Sequence, residues 1–340
     1  MRIAAKYLDK IVVSVKRTRL EAEAKRLNLS GEALDQELLL RGFNVKNLHA
    51  SHDAHHRSLE AVETSLAQRN LNYSLEHAKD LSASHFMDVT MVISVGGDGT
   101  LLETAQFVKS SSIPVLGVNS DPQSSTGKLC SLALRSKNDF EKYFVRMERD
   151  NFSWFLRSRV GLSLVAKDGH RHVVERAALN EVLLAERDVC RPTMHQTKVD
   201  DEGFSRVQRS CGVLVCSGSG STAWMQSASA IRQDDAELIL DAAGVYDFKH
   251  VAGRVAAVVN REFILPPTSS NVSFFIREAL ISPNVPEPIK RRGFASTVSV
   301  RSLGFDTHAF LDGISSIPVE NGTTVIMSIH PEKSLRTFLF

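Results

Sequence analysis

An apolar strand that runs straight into a glycine-rich turn constrains this chain more than any other feature. Val89-Thr90-Met91-Val92-Ile93-Ser94-Val95 carries no charge and is followed by Gly96-Gly97-Asp98-Gly99-Thr100, then by a helical pattern over 100–108. A strand of this kind predicts a parallel sheet covered on both faces. Three glycines free the turn to adopt positive φ and let its N–H groups approach an anion closely. The helix that follows presents further N–H groups and the positive end of its dipole to a phosphate. An acid in the middle of a turn that only gripped phosphate would repel it. A carboxylate there fits a group that takes a proton from a hydroxyl while phosphate is transferred to that hydroxyl, which points to a kinase. The plain alternative is a tight glycine turn between a strand and a helix. Neither G-x-x-x-x-G-K-[ST] nor G-x-G-x-x-G occurs, so the turn is neither a Walker-type ATP site nor a dinucleotide fingerprint.

The surrounding pattern places this turn in an α/β domain. Ile11–Val15 reads as a strand, 20–27 and 30–40 as helices with Ser30 as N-cap, 53–69 as a polar helix and 115–118 as a further short strand. Strands alternating with helices predict a parallel, Rossmann-like sheet. Near residue 150 the pattern changes to short β-rich runs at 160–165, 173–178, 181–185, 195–199, 212–216, 272–276, 297–300 and 323–329. These predict a second, mainly antiparallel β domain. The expected organisation is therefore an α/β domain over 1–150, a β-rich domain over 151–320, and a segment 321–340 whose last strand, 334–340, crosses back to the first domain. Residues 223–259 read as helical, 283–292 as an exposed proline-rich loop, and 290–292 as a short solvated basic run. No internal repeat is present.

Composition narrows the function. With 340 residues there is room for about two domains, and 43% hydrophobic against 24% charged content is ordinary for a globular chain. A net charge of +2 offers no case for a nucleic-acid or membrane-surface partner. No apolar run reaches the roughly 20 residues that span a bilayer; 251–259 is broken by Arg254. The first residues are basic and acid-poor, as mitochondrial targeting segments are. The alternative reading, that Ile11–Val15 is already the first core strand, is preferred. Cys130, Cys190, Cys211 and Cys216 show no C-x-x-C spacing and read as free, mostly buried thiols, with Cys211 and Cys216 on opposite faces of one strand. His49, His52, His55 and His56 form a cluster in which His52 and His56 have the i, i+4 spacing that can share a metal. No nearby Cys or Glu completes a recognisable site and the surroundings are polar, so the cluster reads as a solvated loop and helix start, and no metal site is assigned.

Two further constellations carry chemistry. Leu179-Asn180-Glu181-Val182 sets a polar pair in apolar context, which is costly unless both side chains are satisfied. Asn suits the edge of an adenine, and Glu suits ribose hydroxyls or a magnesium-bound water; the plain alternative is a strand end with both groups in solvent. Ser217-Gly218-Ser219-Gly220-Ser221-Thr222-Ala223-Trp224 again joins an apolar strand to a helix. It can bring amides and hydroxyls against a phosphate or sugar, with Trp224 closing over a ring, or it can be a flexible connector.

Together and in this order, these three segments resemble the NAD kinase family. Val12–Glu23, 117–122, 212–224, 276–278, 298–301 and 335–337 are similar to its mitochondrial eukaryotic branch and, in several places, to plant NADH kinases. The resemblance implies an NAD kinase-like fold and ATP-dependent phosphorylation of the 2′-hydroxyl on the adenosine ribose of NAD or NADH, giving NADP(H). It implies Asp98 as the base, Gly96, Gly97, Gly99 and Thr100 as phosphate-binding residues, and Mg²⁺ carried by ATP. Asn180 and Glu181 would contact the adenosine half of NAD(H), with Ser219, Thr222, Ala223 and Trp224 lining the rest of the dinucleotide pocket. A homodimer and a mitochondrial location are implied too, with cytosol the alternative location because no full-length presequence is evident. The late turn Asp312-Gly313 matches the family without an assigned role.

The chain departs from the wider family in three places. Arg209-Ser210-Cys211-Gly212 stands where an Arg-Gly-Asp-Gly run is usual, so Cys211 replaces an acid on the nicotinamide side. Gly127-Lys128-Leu129-Cys130-Ser131 stands for Gly-His-Leu-Gly-Phe, and Gly218 and Trp224 for a Pro and a Tyr. With Asp98 intact, these imply an altered pocket rather than lost activity. The competing readings are a non-catalytic NAD(H)-binding sensor and a lipid kinase, whose members use a similar G-G-D-G-T loop but lack the other two motifs.

Overall fold

The computed structural model describes residues 4–136, 138–188, 190–280 and 290–340, which divide into two compact units: 1–156 with 335–340, and 157–334.

In the first unit, strands β1 (Ile11–Val15), β2 (Tyr73–His77), β3 (Met91–Gly96), β4 (Val115–Asn119), β5 (Leu132–Ala133) and β6 (Ser153–Arg157) join the C-terminal strand Leu335–Leu339 in one sheet. Its order is β2-β1-β3-β4-(Leu335–Leu339)-β6, with β5 also on β4. The pairs β1–β2, β1–β3, β3–β4, β4–β5 and β4 with the C-terminal strand are all parallel. β1, β3 and β4 are buried along their whole length, as expected of central parallel strands covered on both faces. Their apolar side chains pack with Leu59, Val62 and Leu66 of the helix Val45–Ala67 and with Phe140, Phe144 and Met147 further on.

The helices of this unit are α1 (Arg19–Leu27), α2 (Gly31–Leu40), α3 (Val45–Ala67), α4 (Asp98–Ala105) and α5 (Asp139–Glu148). Two begin elsewhere than the sequence predicts. α3 starts eight residues before position 53, because the Asn44 side chain accepts from the Asn47 N–H and caps it. α4 starts at Asp98, which places that acid in the first helical turn rather than in the loop; a carboxylate there is favoured by the helix dipole. Ser30 occupies the N-cap of α2 but makes no side-chain capping bond. The histidines predicted for a loop and helix start lie inside α3, with His55 fully buried.

The second unit contains two antiparallel sheets of six strands. Its strands are β7 (Val160–Val165), β8 (Arg171–Ala178), β9 (Glu181–Glu186), β10 (Thr193–Val199), β11 (Gln208–Ser210), β12 (Gly212–Cys216), β13 (Val272–Arg277), β14 (Arg292–Ala295), β15 (Thr297–Ser302), β16 (Thr307–Leu311), β17 (Ser315–Pro318) and β18 (Thr324–Ile329). The sheets run β11-β10-β15-β18-β7-β8 and β14-β13-β12-β9-β16-β17. Alternate side chains of both, among them Leu162, Val300 and Met327 from one and Leu184, Val215 and Phe274 from the other, form a single core. The predicted helical stretch 223–259 is three helices: α6 (Trp224–Ser229), α7 (Gln233–Ala242) and α8 (Lys249–Arg261).

Of the predicted loop 283–292, residues 283–289 lie outside the described residues. Its last residue is not in a solvated loop: Arg292 opens β14 and stacks on Phe263 at 4.0 Å. No disulfide joins the four cysteines, and of them only Cys216 is buried; Cys130 and Cys211 are half-buried and Cys190 is exposed. Cys211 precedes β12 rather than sharing its ladder with Cys216.

Candidate active site

The glycine turn sits at the carboxyl end of β3, the edge of a parallel sheet at which ligands characteristically bind. Gly97 is the N-cap of α4 and Asp98 its first residue. The half-buried Asp98 carboxylate accepts from two backbone amides: Lys128 N–H to Oδ2 at 3.0 Å and Leu129 N–H to Oδ1 at 2.8 Å. The segment Gly127–Ser131 is therefore tied to this acid, a relationship with no local signal in sequence. A Cβ at Gly96 would lie 2.7 Å from the Thr100 Cβ and 3.0 Å from the Lys16 Cβ, so this glycine is a packing requirement. Gly97 approaches only the Ser125 hydroxyl, and Gly99 has nothing within 4 Å. α4 is pinned beneath by buried hydroxyls, with Thr104 Oγ1 at 2.7 Å from Ser14 Oγ and from the Thr100 carbonyl.

The return segment Asn119–Gly127 frames the turn. Ser120 N–H bonds the Gly96 carbonyl at 3.0 Å, and the Asn119 side chain donates to the Ser125 carbonyl at 2.9 Å. Gly127, at φ +59°, lies so close to the Asn119 side chain that a Cβ would come within 2.9 Å of Asn119 Cγ. A separate open cavity of about 1050 Å³ in this unit is lined by Asp53, Arg57, Ser120, Asp121 and Arg135, and by none of the five residues of the turn.

In the second unit, Asn180 occupies the corner where the chain leaves β8 in one sheet for β9 in the other. Neither polar group faces solvent freely. Asn180 is buried, and its Oδ1 and the Oε2 of Glu181 are buried atoms without a hydrogen-bond partner among the described residues. An unpaired buried acceptor is costly, so each calls for a donor that is not part of the protein. Burial first, and the Asp312 carboxylate second, push the Glu181 carboxyl up to about 7.

Asp312 builds this corner. Its carboxylate accepts from the backbone N–H groups of Leu179 (2.8 Å), Asn180 (2.7 Å) and Glu181 (3.0 Å). It sits at φ 52° beside Gly313 at φ 67°, the left-handed turn that aims its side chain back along the chain.

The segment after β12 packs directly onto the same corner. Ser217 N–H donates to the Asn180 carbonyl at 2.8 Å, and the Ser217 hydroxyl donates to the Leu179 carbonyl at 2.5 Å. Gly218 lies against the Pro266 carbonyl and Gly220 against the Asn180 backbone, so these glycines are close-contact residues and the segment is no flexible connector. Ser219 is buried and accepts from Arg157 at 3.2 Å, while Thr222 Oγ1 bonds the Ser219 carbonyl at 3.4 Å. Ala223 donates its N–H to the Gly220 carbonyl. Trp224 opens α6, is 39% exposed, and carries the Arg277 guanidinium over its ring at 4.9 Å. Arg277 pairs with Glu278 at 3.4 Å. Burial, with Glu278 second, raises the Cys211 thiol above its usual range.

The chain is similar to known proteins in sequence and in fold. A family model described as the ATP-NAD kinase N-terminal domain matches residues 18–127. The human protein named "NAD kinase 2, mitochondrial" is 30% identical, over 97% of this chain and 84% of its own length. Among solved structures, an NAD kinase from Archaeoglobus fulgidus in complex with ATP aligns over 97% of this chain and 93% of its own at a TM-score of 0.57 and 15% identity. Yeast NADH kinase complexed with NADH aligns over 98% and 84% at 0.56 and 15%. At that identity the two structures establish the shared fold.

Proposed function

Because the chain belongs to the NAD kinase family and its reaction is the ATP-dependent phosphorylation of NAD, we propose that Asp98 is the base of that reaction. The observation that carries this reading is the placement of a carboxylate in the first turn of α4, directly after a glycine turn at the carboxyl end of a parallel strand. The ribose 2′-hydroxyl attacks the γ-phosphorus of ATP, the bond to the β-phosphate oxygen breaks, ADP departs, and the hydroxyl proton passes to the Asp98 carboxylate. Magnesium enters as part of the Mg-ATP substrate and neutralises its phosphate oxygens. Gly96 at the end of β3, with Gly97, Gly99 and Thr100 at the start of α4, holds the phosphates through backbone N–H groups.

The dinucleotide is the partner of the second-unit residues. The unpaired Oδ1 of Asn180 and Oε2 of Glu181 are acceptors suited to an adenine amino group and a ribose hydroxyl. Ser219, Thr222, Ala223 and Trp224 line the remainder, Trp224 offering an aromatic face. Both NAD and NADH are taken as acceptors. The enzyme acts as a homodimer in the mitochondrion, in line with the compartment in the human relative's name.

The test is direct. Purified protein receives Mg-ATP with NAD or with NADH, and the 2′-phosphorylated product is followed. NADP or NADPH formation is expected; dinucleotide binding without product would make the protein a sensor.

A further inference from the structure

We propose that Glu21, His52 and His56 form a binding site for a divalent transition metal of the zinc type on the outer face of α1 and α3. In sequence the acids near the two histidines are Asp53 and Glu60, and the acid whose oxygen meets both rings is neither of them. Folding supplies it, because α1 and α3 pack together and bring Glu21 across a gap of more than thirty residues. Glu21 Oε1 lies 2.9 Å from His56 Nε2 and 4.0 Å from His52 Nδ1. One donor atom from each residue can be chosen so that all lie within 4.8 Å of one another. Zinc bonds of roughly 2.0–2.2 Å to imidazole nitrogen and carboxylate oxygen require donors about 3–3.5 Å apart, so small side-chain rotations close the set.

The donor chemistry is specific. Two imidazoles one helical turn apart with one carboxylate make a mixed nitrogen–oxygen set that suits zinc, copper or nickel and does not suit magnesium, which prefers oxygen alone. The carboxylate is already oriented. Its Oε2 accepts from the Thr18 N–H at 2.7 Å in the capping box of α1, leaving Oε1 directed at the histidines. The Thr18 hydroxyl stands 2.9 Å from His52 Nδ1, the nitrogen nearest the carboxylate, so a metal on that atom takes the place of this hydrogen bond. All three side chains are partly open to solvent, so an ion can enter and keep water in its remaining positions. His49, one turn earlier on the same helix, pairs with Asp35 at 2.9 Å and is outside the group formed by Glu21, His52 and His56. Beside the proposed ligands on α3, with its ring 5.4 Å from that of His56, the buried His55 bonds Ser120 at 2.9 Å, and Ser120 bonds Gly96. A metal here would brace the helix that backs the phosphate turn.

The experiment uses the full chain, stripped with chelator and exchanged into chelator-free buffer. ZnCl₂ is titrated in competition with a chromophoric chelator, with MgCl₂ as the contrast. One equivalent of Zn²⁺ is expected to bind, with no competition from Mg²⁺. Binding should weaken about tenfold or more in His56→Gln and in the double variant His52→Gln/His56→Gln, and stay unchanged in Cys190→Ser. Equal zinc affinity in the double variant and the unaltered chain, or no uptake by the unaltered chain, overturns the proposal. Co²⁺ gives a readout that needs no variant: nitrogen–oxygen coordination shows d–d bands alone, whereas a thiolate charge-transfer band would assign the ion to cysteine and sink the site.

Discussion

Gly220 packs onto the backbone of Asn180, so that a Cβ on the glycine would sit 2.5 Å from the Asn180 carbonyl carbon and 2.9 Å from its Cα. Backbone cannot rotate away as a side-chain tip can, and the same Asn180 carbonyl already accepts from Ser217 N–H. Gly220→Ala is expected to cost about 2–3 kcal/mol as overpacking at a fixed contact. It should also displace the Asn180 corner and weaken dinucleotide binding. Urea denaturation and NAD titration of the variant check both; unaltered stability would mean that the contact yields.

Gly99 makes the opposite case. It lies in α4, has nothing within 4 Å of a built Cβ, and does not adopt a positive φ. Alanine there should raise stability by up to about 1 kcal/mol, the helix-propensity difference. If phosphate approaches the backbone at this point, the added methyl group obstructs it. The expected signature is therefore a higher melting temperature together with a raised KM for ATP. A raised melting temperature with KM unchanged removes Gly99 from the phosphate site.

The legible parts of this fold and the illegible ones divide by sequence distance and by exposure. β1, β3 and β4 are readable because a doubly covered parallel strand must be apolar throughout, and the glycine turn marks the end of β3. β2 and β17 are edge strands, one-sided or solvent-facing, so Tyr73–His77 and Ser315–Pro318 show no apolar run to detect. The motifs mark candidate residues, but not what holds them. Asp312 is more than 130 residues from the amides it anchors, Leu129 is 31 from Asp98, and Glu21 is 35 from His56. Such pairings are set by topology, and no local pattern encodes them.

Glu181 gives a pH signature. Its carboxyl rises from the ordinary 4.5 to about 7 through burial and then through Asp312. A carboxyl raised in the folded state favours folding while it is protonated. That contribution is whole below about pH 4.5 and disappears as pH climbs through 7. The unaltered chain should thus lose stability between pH 5 and 8, on the order of 2–3 kcal/mol from this group, because a tenfold change in proton affinity is worth about 1.4 kcal/mol. Glu181→Gln stays neutral and should lack that loss. Parallel urea curves for the two proteins at pH 5 and pH 8 decide it; an identical pH dependence would show that Glu181 does not titrate in this window.

Asp312 offers a way to separate the two halves of the substrate requirement. Its carboxylate takes three backbone amides of the 179–181 corner, and charged hydrogen bonds contribute about 1.5–3 kcal/mol each when a partner is removed. Asp312→Ala leaves those amides unpaired. The expected result is a stability loss of several kcal/mol and a raised KM for NAD, with KM for ATP little changed. A parallel rise in both constants would mean that the corner serves the phosphoryl donor as well.

Asp98 holds two backbone amides and is proposed as the base, and a single substitution distinguishes the two roles. The carboxylate ties down Lys128 and Leu129 through their N–H groups, a task the carbonyl oxygen of asparagine can partly retain, since one good acceptor remains. Asparagine cannot accept the ribose proton as the phosphoryl group moves. Asp98→Asn should therefore fold, keep dinucleotide affinity within a few-fold, and lose turnover by about 10²–10⁴, the range set by removing a general base. Asp98→Ala removes both duties, so it should show the same fall in kcat together with a lower melting temperature, from the released 127–131 segment. Kinetics with Mg-ATP and NAD, dinucleotide titration and thermal melts on both variants make the comparison. Full turnover in Asp98→Asn would leave the residue only its structural role, as the acceptor for two amides at the start of α4.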